Sequence, residues 1–335
     1  MMSKWLVYAR AAAIPFVLLQ LMSAASALAA QDAETVEGSS TAMAEAALRV
    51  DEADLAKLAK TLDEMRETMR VPGMSVIIVD RGEVVMARGF GLGNTETGEA
   101  ATANTVYPIG SSSKAFTATL MAMLADEGKL DLDEPVQAHL PGFAMRDPDR
   151  AAALTIRDLL CHRSGLARMD MTWYGGTATR RDVLAAVARA KPAAGYDEAF
   201  HYNNPLYMVA GMVAEAATDS PFQSLIRDRF FRPLGMDSAS LAIPRMLTQG
   251  GEAAGYRWDE DEATHERRAY RPVNVVAPAG AINASVNDLR GWIEFNLNRG
   301  VVPGDVESPR SGERLLDERW FDDELWTSHI DIAPG

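Results

Sequence analysis

The chain has 335 residues, of which 47% are hydrophobic and 24% are charged, and its formal net charge at pH 7 is −14. That length allows one large domain or two closely packed lobes with a substantial core. Because the chain is strongly acidic, it repels nucleic acid and anionic lipid, and neither is an expected partner. Cys161 is its one cysteine and therefore has no partner for an internal disulfide.

Residues 1–29 have the layout of a secretory signal peptide. Lys4 and Arg10 precede an apolar run that Pro15 interrupts and that ends in small residues, with Ala27-Leu28-Ala29 as the predicted cleavage site. The alternative is a membrane anchor, because the apolar run is nearly long enough to span a bilayer. We favour cleavage, which predicts a periplasmic or secreted protein without stable membrane association.

Residues 30–50 are small, acidic and aperiodic, which predicts a flexible linker before a folded domain at 51–335. The domain begins with a predicted helix that Pro72 and Gly73 end. Its apolar residues recur at helical spacing and predict one buried face, formed by Leu55, Leu58, Leu62, Met65 and Met69.

A hairpin is predicted next, with strands MSVIIVD and VVMARGF and a tight turn at Arg81–Gly82. The glycines that follow are not interpreted as a dinucleotide-binding loop. The G-x-G-x-x-G pattern fails at Asn94, and no helix begins there.

The stretch YPIGSSSKAFTATLMAMLADEGKLDL, residues 107–132, places a lysine one helical turn after a serine. Gly110 ends an extended segment, the residues after Lys114 favour a helix, and Gly128 ends that helix. Because positions i and i+3 of a helix share a face, Ser111 is the serine that lies beside Lys114.

This pair has the composition of an activated nucleophile. A serine hydroxyl needs a base, and a lysine serves as one only when burial or another cation lowers its pKa. The apolar helix predicts that burial, and the N–H groups at its start favour an oxyanion near Ser111. The alternative is that Ser111 only caps the helix and Lys114 lies on the surface, because S-x-x-K alone is common by chance.

Several further segments, in the same order, resemble the serine β-lactamase and penicillin-binding-protein superfamily. They are IGSSSKAFTA with LADEGKLDLDEPVQAHLPGF, VPGMSVIIVDRGEVVMARGFG, LTIRDLLCHRSGL, FHYNNPLYMVAGMVAE, FFRPLGMDSA and VAPAGAINASVNDLRGW. From about residue 51 onward, the chain is most similar to class C β-lactamases, D-alanyl-D-alanine carboxypeptidases and related esterases. The resemblance implies an α+β fold of the β-lactamase type, with an antiparallel sheet flanked by helices and a mainly helical lobe.

The resemblance also implies roles for individual residues. Ser111 would be the nucleophile, Lys114 its proton acceptor or electrostatic partner, and Tyr202 the second acid/base. Asn204 would bind the amide of the substrate. A lysine beside a phenol is expected to lower the pKa of the phenol, so that the pair can move one proton from the serine to the leaving group. Taken alone, Tyr202 would be interpreted as a buried core tyrosine.

One family feature, a Lys-Thr-Gly or His-x-Gly motif on a late strand, is not found. After Ala281 the patterns predict a helix from about Ser285, a polar loop and a short amphipathic helix, WFDDELWTSH, but no alternating strand. The inner side of the first of these helices is predicted to hold Val286, Leu289, Trp292, Ile293 and Leu297. We therefore expect a chain that is C-terminally truncated relative to the family and lacks the closing strands of the sheet. Loss of one oxyanion donor would cost roughly 10²–10³ in rate, and the single confident hairpin would be marginal in water.

No metal or cofactor is expected, because the five histidines form no H-x-x-x-H or H-x-H pair. Cys161 and His162 are interpreted as structural, and WDEDEATHERR as a solvated loop. The segment LARMDMTWYGGTATRRD is predicted to line one side of the cleft, with Trp173 and Tyr174 as candidate contacts and packing as the alternative.

Three functions follow as hypotheses. The favoured one is a serine hydrolase that forms an acyl-enzyme at Ser111 on an amide, β-lactam or ester carbonyl of a small-molecule or peptidoglycan-like substrate. The second is a cell-wall or β-lactam-binding module that is acylated slowly or not at all. A purely structural or interaction protein is the third and is least supported, because Ser111, Lys114 and Tyr202 occur together in family order.

Overall fold

Helices dominate the part of the chain that the computed structural model describes, residues 51–332. The helices are α1 (Glu52–Thr68), α2 (Ser113–Asp126), α3 (Val136–His139), α4 (Pro148–Ala153), α5 (Ile156–Leu160), α6 (Arg180–Arg189), α7 (Asn204–Thr218), α8 (Phe222–Ile226), α9 (Ile243–Gln249), α10 (Ala277–Gly280) and α11 (Val286–Leu297). The strands are β1 (Gly73–Asp80), β2 (Glu83–Asn94), β3 (Glu99–Ala100), β4 (Tyr107–Pro108), β5 (Gly255–Asp259), β6 (Thr264–Arg268) and β7 (Asn283–Ala284). The predicted signal peptide and linker lie outside the described residues.

The predicted hairpin is confirmed as β1 and β2. Arg81 and Gly82 have φ values of 51° and 82°, the left-handed conformation that a tight two-residue hairpin turn requires. β2 continues to Asn94, so the glycines after Phe90 lie in a strand and not in a dinucleotide-binding loop. β3 pairs with the far end of β2 and completes a three-stranded antiparallel sheet in the order β1-β2-β3.

The helix α1 covers this sheet with a narrower apolar face than the spacing predicts. Its contacts come from one stripe, Leu55, Ala59 and Leu62, which packs against Met86 and Phe90 of β2. The other predicted core residues are 38%, 45% and 50% exposed, so the prediction is wrong for Leu58, Met65 and Met69. At 100° per residue, Leu58 and Met65 lie about 65° and 85° from the centre of the contact stripe, beyond the reach of a narrow sheet.

The main hydrophobic core lies around α2 and α7, both of which are buried along most of their length. The ring of Phe116 on α2 stacks on Trp292 of α11 with 3.8 Å between ring centroids. Gly211 of α7 allows α10 to approach, because a Cβ there would lie 2.3 Å from Pro278 Cγ. The Thr117 hydroxyl donates a hydrogen bond to the Pro278 carbonyl at 2.7 Å and so ties α2 to α10.

A second hairpin, β5 and β6, lies where the charge run predicts a solvated loop; its residues are mostly exposed, as predicted, but the prediction of a loop is wrong. Its register pairs Trp258 with His265 and Arg257 with Glu266. The Asp259 carboxylate accepts hydrogen bonds from two backbone N–H groups of the turn, each at 3.0 Å. Aromatic residues alternate with charged ones in this stretch, and charge composition alone does not reveal that alternation. The expectation of a single hairpin is therefore wrong as well.

The region after β7 is helical, as the sequence predicts. The helix α11 begins immediately after Ser285, whose side chain forms a capping box with Asp288. Leu297 is 56% exposed at the end of α11, so its predicted inner position is wrong, and Phe295 is buried instead. Up to residue 332, the described chain then has a π-helical turn, Phe321–Leu325, and an isolated bridge between Val301 and Arg314, with no further strand.

Within residues 51–332, no helix has both the length and the apolar character that crossing a bilayer requires.

Candidate active site

Ser111 lies on a 3-10 turn, Gly110–Ser112, that leads directly into α2. The start of this turn is held by β4, which pairs with β7, and by the Ile109 N–H, which donates to the Ile282 carbonyl at 3.0 Å. Gly110 has a φ of +55°, a conformation that glycine adopts without strain. The Ser111 side chain is consequently exposed at the head of a buried helix.

Lys114 lies beside Ser111, as the i, i+3 spacing predicts. Its Nζ is 3.3 Å from Ser111 Oγ, and the residue is only 8% exposed. Three other oxygens contact the same amine, namely Tyr202 OH at 2.6 Å, Asn204 Oδ1 at 2.7 Å and the Ala279 carbonyl at 2.7 Å. The predicted alternative, a surface lysine, is therefore wrong.

Burial lowers the pKa of the Lys114 amine from 10.5 to about 7. The Asp170 carboxylate opposes this shift, and the Arg168 guanidinium adds to it. Near neutral pH, a large fraction of the amine is therefore uncharged, with two N–H donors and one lone pair. Because Asn204 Oδ1 and the Ala279 carbonyl only accept hydrogen bonds, they take the two N–H groups and leave the lone pair for the hydroxyls.

Tyr202 comes from a different part of the chain, immediately before α7, and its hydroxyl completes the cluster. Tyr202 OH is 2.6 Å from Ser111 Oγ and 2.6 Å from Lys114 Nζ. Burial raises the pKa of the phenol, and the hydrogen bond with Ser111 offsets only part of that rise. The expectation of a lowered phenol pKa is wrong, because burial raises the pKa of Tyr202 more than the hydrogen bond with Ser111 and the charge of Arg168 lower it. Tyr202 is therefore a protonated phenol at neutral pH.

His162 supports the turn between Tyr202 and α7. Its Nδ1 accepts the backbone N–H of Asn203 at 3.1 Å, and its ring lies 4.6 Å from the ring of Tyr202. Burial, followed by the charge of Lys114, lowers the pKa of His162 to about 3, so the imidazole is neutral. Burial raises the pKa of the neighbouring Cys161 thiol to about 11. Both residues fit the structural interpretation.

Asp170 and Arg168 are site residues that lie in the segment predicted to line the cleft, but no motif singles them out. Asp170 Oδ1 accepts a hydrogen bond from Asn204 Nδ2 at 2.7 Å, and Asp170 Oδ2 pairs with Arg168. Trp173 is buried and donates its indole N–H to Asp170 at 3.2 Å, so it packs instead of lining the cleft. No short motif signals a carboxylate that reaches the site through an amide 34 residues away.

The structure gives the positions of two residues that are predicted to contact the substrate, and their contacts with a substrate stay predictions. Asn204 is buried between Lys114 and Asp170, and its predicted role in binding a substrate amide stays a prediction. The Tyr174 ring is 40% exposed and lies 3.6 Å from the guanidinium of Arg271. Residues 51–332 contain no group of three or more histidine, cysteine, aspartate or glutamate side chains arranged to hold a metal ion.

The geometry supports proton transfer at an exposed hydroxyl. Ser111 is open to solvent, whereas the amine that can take its proton is buried. The phenol of Tyr202 bridges the two and can both donate and accept. A hydroxyl, a base near neutrality and a bridging acid within hydrogen-bond distance are what nucleophilic catalysis needs.

Comparison with known proteins identifies relatives of this site and fold. The chain is 30% identical over 261 residues to the unguisins hydrolase ungD' of Aspergillus campestris, which covers 75% of this chain and 48% of that protein. It is 29% identical to Protein flp of Staphylococcus aureus, over 68% of this chain and 46% of that one. The chain thus spans about half the length of the curated relatives it matches.

A solved structure shows the same fold. The octameric penicillin-binding protein homologue from Pyrococcus abyssi superimposes with a TM-score of 0.68 at 26% identity, covering 80% of this chain and 59% of that one. The family model described as Beta-lactamase matches residues 58–325, which include every residue of the cluster. The chain belongs to the beta-lactamase family, the superfamily of serine β-lactamases and penicillin-binding proteins.

Proposed function

We propose that this protein is a serine hydrolase that forms an acyl-enzyme at Ser111. The proposal rests on one observation, the placement of Ser111 Oγ 3.3 Å from a buried lysine amine and 2.6 Å from the Tyr202 hydroxyl. The family membership and the hydrolase among the relatives support it. The substrate class is an amide, a β-lactam or an ester.

In the first step, Ser111 Oγ attacks the carbonyl carbon of the substrate, and its proton passes to the neutral amine of Lys114, directly or through the Tyr202 hydroxyl. The tetrahedral intermediate then collapses, the bond to the leaving nitrogen or oxygen breaks, and Tyr202 donates a proton to the leaving group while Lys114 replaces that proton. Water attacks the acyl-enzyme by the reverse route and releases the carboxylic acid.

The proposed periplasmic or secreted setting is supported by the signal-peptide layout of residues 1–29. A periplasmic or secreted enzyme would meet peptidoglycan-like peptides or β-lactams, and the likeness to a penicillin-binding protein homologue supports such substrates. Nucleic acid and a stable membrane association are not part of the proposal, and no cofactor is invoked.

A fluorophosphonate probe and a fluorescent penicillin test the nucleophile. We expect at least one of the two probes to label the parent protein and neither to label Ser111→Ala. Ser112→Ala is the matched control. Ser112 is exposed on the same 3-10 turn, but its hydroxyl is not among the groups that hydrogen-bond to Lys114. Labelling that persists in Ser111→Ala would overturn the proposal.

Turnover separates a hydrolase from a protein that is acylated without releasing its product. A chromogenic cephalosporin and a p-nitrophenyl ester, assayed with the same preparation, should give more than one product molecule per protein molecule on one substrate. A stoichiometric burst without further turnover on either substrate would favour the alternative, a weakly acylating cell-wall or β-lactam-binding module.

A further inference from the structure

A continuous line of polar contacts connects the surface to the amine of Lys114. Arg168 stands at the outer end with 65% of its side chain exposed, and it pairs with Asp170, which is 17% exposed. Asp170 accepts a hydrogen bond from Asn204, and Asn204 in turn accepts one from Lys114. Neither Arg168 nor Asp170 takes part in the proton transfers described above.

The first consequence of this line concerns orientation. A carboxylate only accepts hydrogen bonds, so Asp170 requires the NH₂ end of the Asn204 amide on its own side. The amide oxygen must then face Lys114 Nζ, where it lies at 2.7 Å. Without the carboxylate, the amide could turn its NH₂ group toward the lysine, and two donors would oppose each other.

The second consequence concerns charge. The Asp170 carboxylate favours the protonated amine, whereas the Arg168 guanidinium, 5.1 Å from the centroid of the Tyr202 ring, favours the neutral amine. The titratable groups that face Lys114 from the other elements packed against it are Tyr202, Tyr207 and His162. All three are uncharged near neutral pH, because burial raises the pKa of both phenols and lowers that of the imidazole.

We propose that Arg168 and Asp170 are positioning residues that act on Lys114 through Asn204. Asp170 fixes the amide that orients the amine, and the two opposite charges together set the pH at which the amine becomes free to take the Ser111 proton. The inference rests on the proposed function, since it describes how that nucleophile is switched on.

The test is the pH dependence of the second-order rate constant for fluorophosphonate labelling of Ser111 in the full chain. Asp170→Asn removes the charge but keeps an acceptor for Asn204, so the midpoint of the acidic limb should move down by about 0.5 pH unit or more. Arg168→Gln removes the opposing charge, so the midpoint should move up, by roughly 0.2–0.4 pH unit because solvent screens the exposed guanidinium.

A third variant separates orientation from charge. Asp170→Ala removes both the charge and the acceptor, so its maximal labelling rate should fall about tenfold or more below that of Asp170→Asn, with a similarly lowered midpoint. A carboxylate that positions Asn204 predicts that Asp170→Asn regains the maximal labelling rate that Asp170→Ala loses, while its midpoint stays below that of the parent. Thermal unfolding of each variant establishes that it is folded, and Arg168→Gln provides a test at an exposed side chain if Asp170→Ala does not fold.

The matched controls are Arg310→Gln and Glu313→Gln, which break an exposed ion pair that is not part of the site. Neither should move the midpoint. If the parent protein shows no Ser111-dependent labelling, the proposed function and this inference both fail. If it is labelled but the midpoints of Asp170→Asn and Arg168→Gln stay unchanged, or move in the same direction, the inference alone is overturned.

Discussion

Two regions of the described chain differ sharply in how they are packed. The sheet β1–β3 and its helix α1 share a small cluster whose buried members are Ala59, Met86 and Phe90, and no residue of β1 is fully buried. Around α2 and α7, by contrast, buried residues of both helices belong to one continuous hydrophobic core. Every atom of the proton-transfer cluster comes from this second region, to which Ser111, Lys114, Tyr202, Asn204 and Ala279 belong.

The contrast explains where chemistry is possible. Burial lowers the pKa of Lys114, and the continuous core around α2 and α7 provides that burial. Holding a hydroxyl, an amine and a phenol within 3.3 Å of one another also requires elements that do not shift, which is a property of close packing. Predictions that compare the two regions therefore test this explanation.

The largest expected effect is the loss of the buried amine. Lys114→Met keeps much of the side-chain volume but removes the base, and should lower the rate of Ser111 labelling by about 10²–10⁴. The matched variant Lys60→Met, on the exposed face of α1, should label at the parent rate, since Lys60 is 79% exposed and pairs with Glu64 on the same helix. If Lys114→Met were labelled at Ser111 as fast as the parent protein, the core around α2 would not supply the base.

The next effect is on stability and compares two phenylalanines. Phe116→Ala removes a ring that is 1% exposed and stacked on Trp292, and should lower the free energy of unfolding by about 3–5 kcal/mol. Phe90→Ala in the small cluster should cost less, about 2 kcal/mol, because neighbours of a small and partly exposed cluster can collapse into the space. Urea denaturation followed by circular dichroism measures both, and equal losses would contradict the contrast.

The pH profile gives a third, smaller effect. Only the neutral amine accepts a proton, and the pKa of Lys114 is lowered from 10.5 to about 7. The labelling rate should therefore rise about tenfold per pH unit below pH 7 and level off above it. A midpoint near the ordinary lysine value would mean that the amine is not shielded from water.

The same pKa shift has a consequence for stability. Because the amine binds its proton less tightly in the fold than in the unfolded chain, the unfolded state holds more protons between pH 7 and 10.5, and the contribution of Lys114 to stability grows with pH in that window. Relative to Lys114→Met, the parent should thus become more stable from pH 6 to pH 9 in urea denaturation. No such gain would contradict the burial of the amine.

The smallest effect is expected at the surface of the sheet region. Arg267 on β6 pairs with Glu96, and both side chains are nearly half exposed. Arg267→Gln should leave the midpoint of thermal unfolding and the labelling rate unchanged, because exposed ion pairs contribute little. A clear loss of Ser111 labelling in this variant would show that the two regions are coupled more tightly than their packing indicates.

Local patterns account for much of the fold. The hairpin turn at Arg81–Gly82, the end of α2 before Gly128 and the start of α11 after Ser285 are all predicted from a few neighbouring residues. The failures have two causes: the burial of a helix residue depends on a partner elsewhere in the chain, and charge composition hides the alternation of residues in a strand. Leu58 has the spacing of a core residue, but the sheet is too narrow to cover it, and β5 and β6 form because they pair with each other across a charged turn.

For the site, the sequence alone determined the nearness of Ser111 and Lys114, because three residues are one helical turn and the helix is specified by its own side chains. Only the tertiary structure decided the rest. It brought the Tyr202 hydroxyl across 91 residues to the serine, enclosed the lysine so that its pKa fell instead of that of the phenol, and placed Asp170 behind Asn204. Solvent exclusion and distances between remote segments arise from the packing of the whole core, and no local stretch of sequence encodes them.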